Sequence, residues 1–327
     1  MRGVVLYELY RQDGSFISGE TLATKLGISR VAVWKHIAAL KEEGYNIIAV
    51  TGKGYCLADC KNIVLPDLLK KYLKTDFMAH EYYYYPCLDS TNNMAYRLVK
   101  QGNPSAGTVV AAGEQTGGKG RRGHGWESPQ GGLWFSVILK PALPMQQTAV
   151  LSLVCAVAVC RALRGIIKNA TAEIKWPNDI MIRGRKIAGI LLQTAGEIDA
   201  AAYVIAGIGV NSNVEIDNLA DELKLRATSL LAENGVAVDN TLLLATVLGS
   251  LEESYQCFLQ EGFQPLLQEF KEYCAHLGKN VQVDTGNGLI QGINCDIDDY
   301  GSLIIDTGES KVRITTGDVY LVGRQGE

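Results

Sequence analysis

The stretch Gly117-Gly118-Lys119-Gly120-Arg121-Arg122-Gly123-His124-Gly125-Trp126 packs five glycines, three permanent cations and an imidazole into ten residues. Such a segment cannot bury a core of its own and is expected to be mobile when empty. Its natural chemistry is anion capture: glycine lets backbone N–H groups approach a ligand, and Lys119, Arg121 and Arg122 add charge-assisted donors suited to phosphate or carboxylate. It is not a P-loop, because G-x-x-x-x-G-K-[ST] is absent. On composition alone it also reads as a solvated basic loop or one that touches nucleic acid. Lys175-Trp176-Pro177-Asn178-Asp179 places a cation, an aromatic, an amide and a carboxylate on a strand interrupted by proline, which marks an edge, a bulge or a site. In Arg185-Lys186-Ile187-Ala188-Gly189-Ile190-Leu191, a lysine opens an apolar strand whose glycine would let a flat ligand approach the backbone. Gly207-Ile208-Gly209-Val210-Asn211 lacks the third glycine and following helix of a dinucleotide fingerprint. Asp89-Ser90-Thr91-Asn92-Asn93 reads as a helix cap that could also hydrogen-bond a polar ligand. With no G-x-S-x-G elbow and no histidine pair at metal-ligand spacing, positioning and charge are favoured over a covalent nucleophile.

The elements that must hold these segments fall into three textures. Over Gly3–Leu57, Ser18 caps a short helix marked by Leu22, Ala23 and Leu26 and closed by Gly27. Ser29 caps a second helix with Val33, Ile37 and Leu40 on its inner face, ended by Gly44. A hairpin follows, Ile47–Val50 and Tyr55–Leu57, with Lys53 at its tip, and the whole is the layout of a winged helix. Lys61–Lys74 reads as a polar linker. From Tyr82 to Asn213 strands and helices alternate: strands at Val109–Ala112, Leu133–Leu139, Ile174–Ile182, Ile187–Gln193 and Tyr203–Val210, with a helix over Gln147–Ile167. Leu244, Val247, Leu248, Leu251, Tyr255 and Phe258 set one face of a long helix starting near Asn240. After Leu277, short strands punctuated by glycine turns predict a small β-barrel.

The chain has 327 residues with 31 Lys/Arg against 35 Asp/Glu, a net charge of -4, which excludes a polycation that coats nucleic acid and makes any DNA contact local. Its longest apolar run, Ala149–Cys160, falls short of the roughly 20 residues of a membrane span. No secretory signal stands at Met1–Tyr10, so the expected compartment is the cytoplasm, with the eight cysteines reduced.

Taken together and in order, these segments resemble the family of bifunctional biotin protein ligases and biotin operon repressors. The resemblance rests on Ser-Arg-Val-Ala-Val-Trp-Lys-His-Ile at 29–37 with Gly52-Lys53-Gly54-Tyr55, Ser90-Thr91-Asn92, Gly-Lys-Gly-Arg-Arg-Gly at 118–123, Lys-Trp-Pro-Asn-Asp at 175–179, Arg-Lys-Ile-Ala-Gly-Ile-Leu at 185–191 and Gly-Ile-Gly-Val-Asn at 207–211. It implies an α/β multidomain fold: a winged helix-turn-helix over 1–64, a class II synthetase-like catalytic domain with a mixed sheet and helices over 65–276, and an SH3-like barrel over 277–327. It implies that biotin and ATP, with Mg²⁺, give biotinyl-5′-AMP, and that biotin then passes to a lysine of a biotin carboxyl carrier protein domain. Ser90, Thr91, Asn92 and Gln115 would bind the biotin head group, with Gly189, Leu191, Gly207 and Gly209 as walls. Lys186 would meet the carboxylate and α-phosphate. Arg121 and Arg122, with the backbone of Lys119 and Gly120, would close over the adenylate, while Trp126 forms a wall and Asn178 and Asn211 place the nucleotide or metal. Asp179 would orient the incoming lysine or accept its proton. Lys119 stands where the family commonly has arginine, which keeps the charge and loses the planar fork.

The resemblance also implies operator binding through Ser29, Arg30, Trp34, Lys35 and Lys53. Arg2–Cys60 carries seven Lys/Arg against six Asp/Glu, so a monomer should hold DNA weakly, and an adenylate-bound homodimer would read two half-sites. A biotin-sensing transcription factor without ligase activity is the alternative from another class, and a lipoyl or acyl ligase is a second.

Overall fold

The computed structural model describes residues 1–58, 60–141, 143–144, 148–197 and 200–322. At the N-terminus, α1 (Arg2–Tyr10) packs Val5, Leu6 and Leu9 against the two predicted helices. Of these, α2 (Gly19–Leu26) begins at Ser18, whose hydroxyl accepts from the Thr21 N–H, and stops at the left-handed Gly27. Ser29 does the same for α3 (Arg30–Glu42) through the Ala32 N–H at 3.1 Å, and Val33, Ile37 and Leu40 are buried as their spacing requires. The wing is β1 (Ile47–Val50) antiparallel to β2 (Gly54–Leu57).

The predicted linker is packed rather than free. A 3-10 turn at Cys60–Asn62 leads to α4 (Pro66–Tyr72); Ile63, Leu65 and Leu68 join the N-terminal core, and Val64 and Leu69 the central one. Apolar side chains hidden among the lysines of this segment thus stitch two cores together. Asn213 adds a hydrogen bond to Asn62 at 2.8 Å, and the Tyr10 hydroxyl donates to Asp239.

The central unit is a mixed seven-stranded sheet. Its strands are β3 (Tyr82–Leu88), β4 (Thr108–Gln115), β5 (Leu133–Leu139), β6 (Ala172–Lys175), β7 (Asp179–Ile182), β8 (Arg185–Glu197) and β9 (Ala200–Val210), in the order β3-β4-β5-β9-β8-β7-β6. Among the described residues, only the β3–β4 pair of this sheet is parallel. The run Tyr82-Tyr83-Tyr84-Tyr85 is a strand that the apolar-run reading passed over, although aromatics favour strands. The single strand expected over Ile174–Ile182 is two, β6 and β7, hairpinned at Trp176-Pro177-Asn178 so that Lys175 and Asp179 face each other. Proline has no N–H to give a ladder, and here it takes the turn.

One sheet face is covered by α6 (Val150–Arg164); the predicted first residue of that helix, Gln147, lies outside the described residues. The other face receives α5 (Thr91–Gln101), with Ala95 against Val110, Ile138 and Ile205. After β9, α7 (Asp221–Lys224) and α8 (Leu230–Asn234) lead to α9 (Asn240–Glu261), which packs on α6 through the predicted apolar face, and to α10 (Gln264–Tyr273). Among the described residues no helix is long and apolar enough to cross a membrane, and all eight cysteines are free.

The C-terminal strands β10 (Asn280–Asp284), β11 (Leu289–Ile297), β12 (Leu303–Asp306), β13 (Lys311–Ile314) and β14 (Asp318–Leu321) form an antiparallel sheet in the order β13-β12-β11-β10-β14. Its core runs into the central one, and its junction is polar and buried: Trp176 Nε1 donates to Gly301 O at 2.8 Å, and the Trp176 N–H donates to His276 Nε2 at 3.0 Å. Burial first, then the nearby charges of Lys175 and Lys279, push the His276 imidazole down from its ordinary 6.5 to about 4. The unfolded ring takes a proton that the folded one refuses, so stability held above pH 6.5 is lost as pH falls towards 4, by at most about 3 kcal/mol. Melting temperatures should therefore fall less between pH 7 and 5 for His276→Gln than for the wild type; parallel curves would remove His276 as the cause.

Candidate active site

The register of the central sheet sorts the predicted residues onto one face, because directly opposed residues of antiparallel strands share a side. Asp179 on β7 opposes Gly189 on β8, Gly189 opposes Gly209 on β9, and Gly209 opposes Trp134 on β5. The next row is Leu191, Gly207 and Ser136. Gly207 and Gly209 are partly exposed, whereas Ala206, Ile208 and Val210 on the opposite face are buried. Backbone without side chains thus floors a shallow groove that a flat ring system can enter.

The N-terminus of α5 lines one wall. Ser90 is its cap residue but makes no side-chain capping bond; the Thr91 N–H donates instead to Gln115 Oε1 at 2.8 Å, and the Thr91 hydroxyl to the same oxygen at 3.1 Å. The Ser136 hydroxyl bonds Thr91 Oγ1 at 2.7 Å and Asn92 Oδ1 at 2.6 Å, and Gln115 Nε2 donates to Ser128. Ser90, Thr91, Asn92, Ser128 and Ser136 are all buried, so this wall is a fixed polar network. Sequence reading missed Ser128 and Ser136; a hydroxyl inside Leu133-Trp134-Phe135-Ser136-Val137-Ile138-Leu139 was the available signal.

Lys186 and Gly189 are three residues apart, and strict alternation would send them to opposite faces. The register shifts between Ile180, paired with Ala188, and Met181, paired with Lys186, so β8 carries one extra residue. This bulge turns Lys186 into the groove. Its Nζ lies 2.7 Å from Asp179 Oδ1 and 4.9 Å from the centroid of the Trp126 ring. Trp126 and Lys186 rest on the glycines: a Cβ at Gly209 would stand 2.7 Å from Trp126 Nε1, and one at Gly189 3.3 Å from Lys186 Nζ. The indole Nε1–H is buried and has no hydrogen-bond partner among the described residues. Lys175, named within its motif but given no role, lies across from Asp179 with its Nζ 5.1 Å from the Tyr320 ring centroid; burial lowers the pKa of its ammonium, and Asp179 pulls it back.

The basic loop is not free in this structure. Arg121 donates to Asn178 Oδ1 at 3.1 Å, Asp318 Oδ1 at 3.2 Å and Gly317 O at 3.3 Å, and Arg122 donates to Asp318 Oδ2 at 2.8 Å. Asn178 is itself anchored through Nδ2 to Ile190 O at 2.7 Å, and Asn211 through Nδ2 to Thr228 O at 3.0 Å. Lys119 points away, to Asn93 Oδ1 at 3.2 Å, and the Gly120 N–H, expected to meet a ligand, is taken by His124 O at 2.7 Å. The groove therefore gathers Thr91, Asn92, Gln115, Asp179, Lys186, Gly189, Leu191, Gly207, Gly209 and Trp126 with Arg121 and Asn178 at its edge. Its charge and hydrogen-bond donors suit a carboxylate brought against a phosphate.

Ser29, Arg30, Trp34 and Lys35 share the exposed start of α3, with Trp34 60% exposed, and Lys53 sits on the wing 5.9 Å over the Phe16 ring.

Residues 84–211 match the model of the biotin/lipoate A/B protein ligase family, residues 4–56 a helix-turn-helix domain and residues 276–322 the biotin protein ligase C-terminal domain. The bifunctional ligase/repressor BirA of Bacillus subtilis is 39% identical over 318 residues, 97% of each chain. The chain belongs to the bifunctional ligase/repressor family. The family's Escherichia coli member is 31% identical over 90% of this chain and 89% of its own. A biotin protein ligase from Aquifex aeolicus, solved in complex with biotin and ATP, matches at a TM-score of 0.65 and 30% identity, covering 74% of this chain and 98% of that one.

Proposed function

We propose that this chain is an ATP-dependent biotin protein ligase and a repressor of biotin genes, with boundaries at 64/65 and 276/277. The observation that carries the ligase reading is the Lys186 ammonium, turned by a bulge onto a glycine floor beside Asp179 and under Trp126. In the first step the biotin carboxylate oxygen attacks the α-phosphorus of ATP and the bond to the β-phosphate breaks, giving biotinyl-5′-AMP and pyrophosphate. Lys186 stabilises the charge that develops between carboxylate and phosphate, and the Arg121 and Arg122 guanidinium groups close over the adenylate once it has formed. The Thr91–Asn92–Gln115 wall, with Ser90, holds the biotin head group against Gly207, Gly209, Gly189 and Leu191. The orphaned Trp126 N–H supplies a further donor for the ligand. Mg²⁺ bound with the nucleotide would supply neutralising charge on the phosphates, and the Asn178 and Asn211 amides are the side chains that would help place it.

In the second step the acceptor lysine nitrogen attacks the biotinyl carbonyl and the bond to AMP breaks. Asp179 orients that amine or takes its proton. Purified protein given biotin, MgATP and a carrier domain should release pyrophosphate and label the carrier. Absence of both would leave the sensor without ligase activity, and equal use of lipoate would leave the broader acyl ligase. Arg121→Gly should retain adenylation but release biotinyl-AMP about tenfold faster, the factor for one lost charge-assisted contact of ~1.4 kcal/mol; an unchanged off-rate would remove Arg121 from the closing loop.

The repressor part rests on α3 and the wing, near-neutral in charge. Two copies joined in the adenylate-bound state would present two recognition helices to two half-sites. Sedimentation and footprinting on the protein's own upstream region, with and without biotin and ATP, test this. A monomer that binds equally well in both states would refute it.

A further inference from the structure

We propose that Asp318 is a positioning residue for adenylate retention: presented by the Gly317 turn of the C-terminal sheet, its carboxylate holds Arg121 and Arg122 across the edge of the glycine-floored groove. The inference rests on the ligase reading above. Each Asp318 oxygen is used by a different guanidinium, Oδ1 by Arg121 and Oδ2 by Arg122. Around it the C-terminal domain builds a receptacle. Gly317 O accepts from Arg121, Asp284 Oδ2 lies 3.9 Å from Arg122 Nη1, and a Cβ at Gly286 would stand 2.8 Å from Arg122 Nη2. The loop enters this receptacle with a left-handed Arg122, φ +53°, a conformation a non-glycine residue adopts only when its surroundings hold it.

The direction of the effect follows from what Arg121 touches at its other end. The same nitrogen that meets Asp318 donates to Asn178 Oδ1, and Asn178 is tied to Ile190 O on β8, the strand that carries Lys186 and Gly189. Asp318 therefore holds Arg121 at the site rather than drawing it away. A five-glycine segment loses much conformational entropy on ordering, so a partner that orders it beforehand lowers what the ligand must supply. The side chains are 24–35% exposed, so the pairs can exchange with a phosphate without stranding a buried charge. Lys119, the loop cation that points elsewhere, has no share in the device.

The test uses the full-length protein with biotin and MgATP. Asp318→Ala should speed biotinyl-AMP dissociation about tenfold, as for one lost charge-assisted contact, with the rate of the first adenylation turnover and biotin affinity without ATP unchanged. Asp318→Glu should restore most of the retention. In a background that carries both Arg121→Gly and Arg122→Gly, Asp318→Ala should add little, since it acts through those two guanidinium groups. A second arm is independent of the reaction: in protein without ligand, trypsin should cut after Arg121 and Arg122 faster in Asp318→Ala than in wild type. An unchanged or slower adenylate off-rate would overturn the proposal, a slower one because it would mean that Asp318 competes with the ligand. Additive effects in the background lacking both arginines would also overturn it. If the wild type makes no adenylate at all, the ligase reading falls, and equal trypsin rates would then overturn the clamp while faster cutting would uphold it.

Discussion

Lys186→Ala is expected to cut pyrophosphate release from biotin and MgATP by roughly 10²- to 10³-fold, the loss that follows removal of one preorganised donor to developing charge. The geometry makes the loss more than a missing contact. The Lys186 ammonium lies 2.7 Å from Asp179 Oδ1; without it a carboxylate remains on the groove face with no cation at that distance, where two further anions must meet. Arginine should not replace it. The ammonium rests above Gly189, where even a Cβ would come within 3.3 Å of Nζ, and a planar guanidinium needs more room than that space offers. If electrostatics is the cause, Asp179→Asn combined with Lys186→Ala should recover part of the first-step rate, since the stranded negative charge is gone. Single-turnover pyrophosphate release measures the first step alone, apart from any role of Asp179 in transfer. Near-normal release by Lys186→Ala would dismiss the assignment.

Much of the fold could be read from local chemistry. Ser18 and Ser29 sit where helices must start, Val33, Ile37 and Leu40 share a face, and the long α9 declares its buried stripe. Residues of the groove were legible as types: glycines in strands, a lysine at a strand entrance, an amide-rich helix start. Their arrangement was not. Period-two reasoning puts Lys186 on the wrong side of β8, because a bulge is a property of a strand pair and leaves no mark in one strand. The proline in Lys175–Asp179 was recognised as an interruption, yet whether it bends one strand or separates two depends on what lies alongside. The basic loop was judged by its own composition, which offers it no partner; the partner is Asp318, 197 residues away from Arg121 in the chain. Ser136 shows the same limit from the other side, a hydroxyl whose meaning comes only from Thr91 and Asn92 across the sheet.

Gly207→Ala should weaken biotin binding, measured by titration without ATP, by roughly 10- to 100-fold, the range for leaving a buried polar group of 1–3 kcal/mol unsatisfied. A Cβ there would lie 2.1 Å from Asn92 Oδ1 and 2.8 Å from its Cγ. Asn92 is short, buried and held through Oδ1 by Ser136 at 2.6 Å, so it cannot yield without breaking the wall that also fixes Thr91 and Gln115. Gly209→Ala meets Trp126 Nε1 at 2.7 Å instead, a partly exposed ring that can swing outward, and should cost less. Gly249→Ala provides the control, being a helix-interior position with nothing within 4 Å of the added carbon; it should leave binding unchanged and raise stability by about 0.5–1 kcal/mol. The order of loss, Gly207 above Gly209 above Gly249, is what a backbone-floored groove demands. If Gly207→Ala bound biotin as the wild type does, the ligand would have to lie away from the Asn92 wall, and the assignment of Thr91, Asn92 and Gln115 to the head group would fall with it.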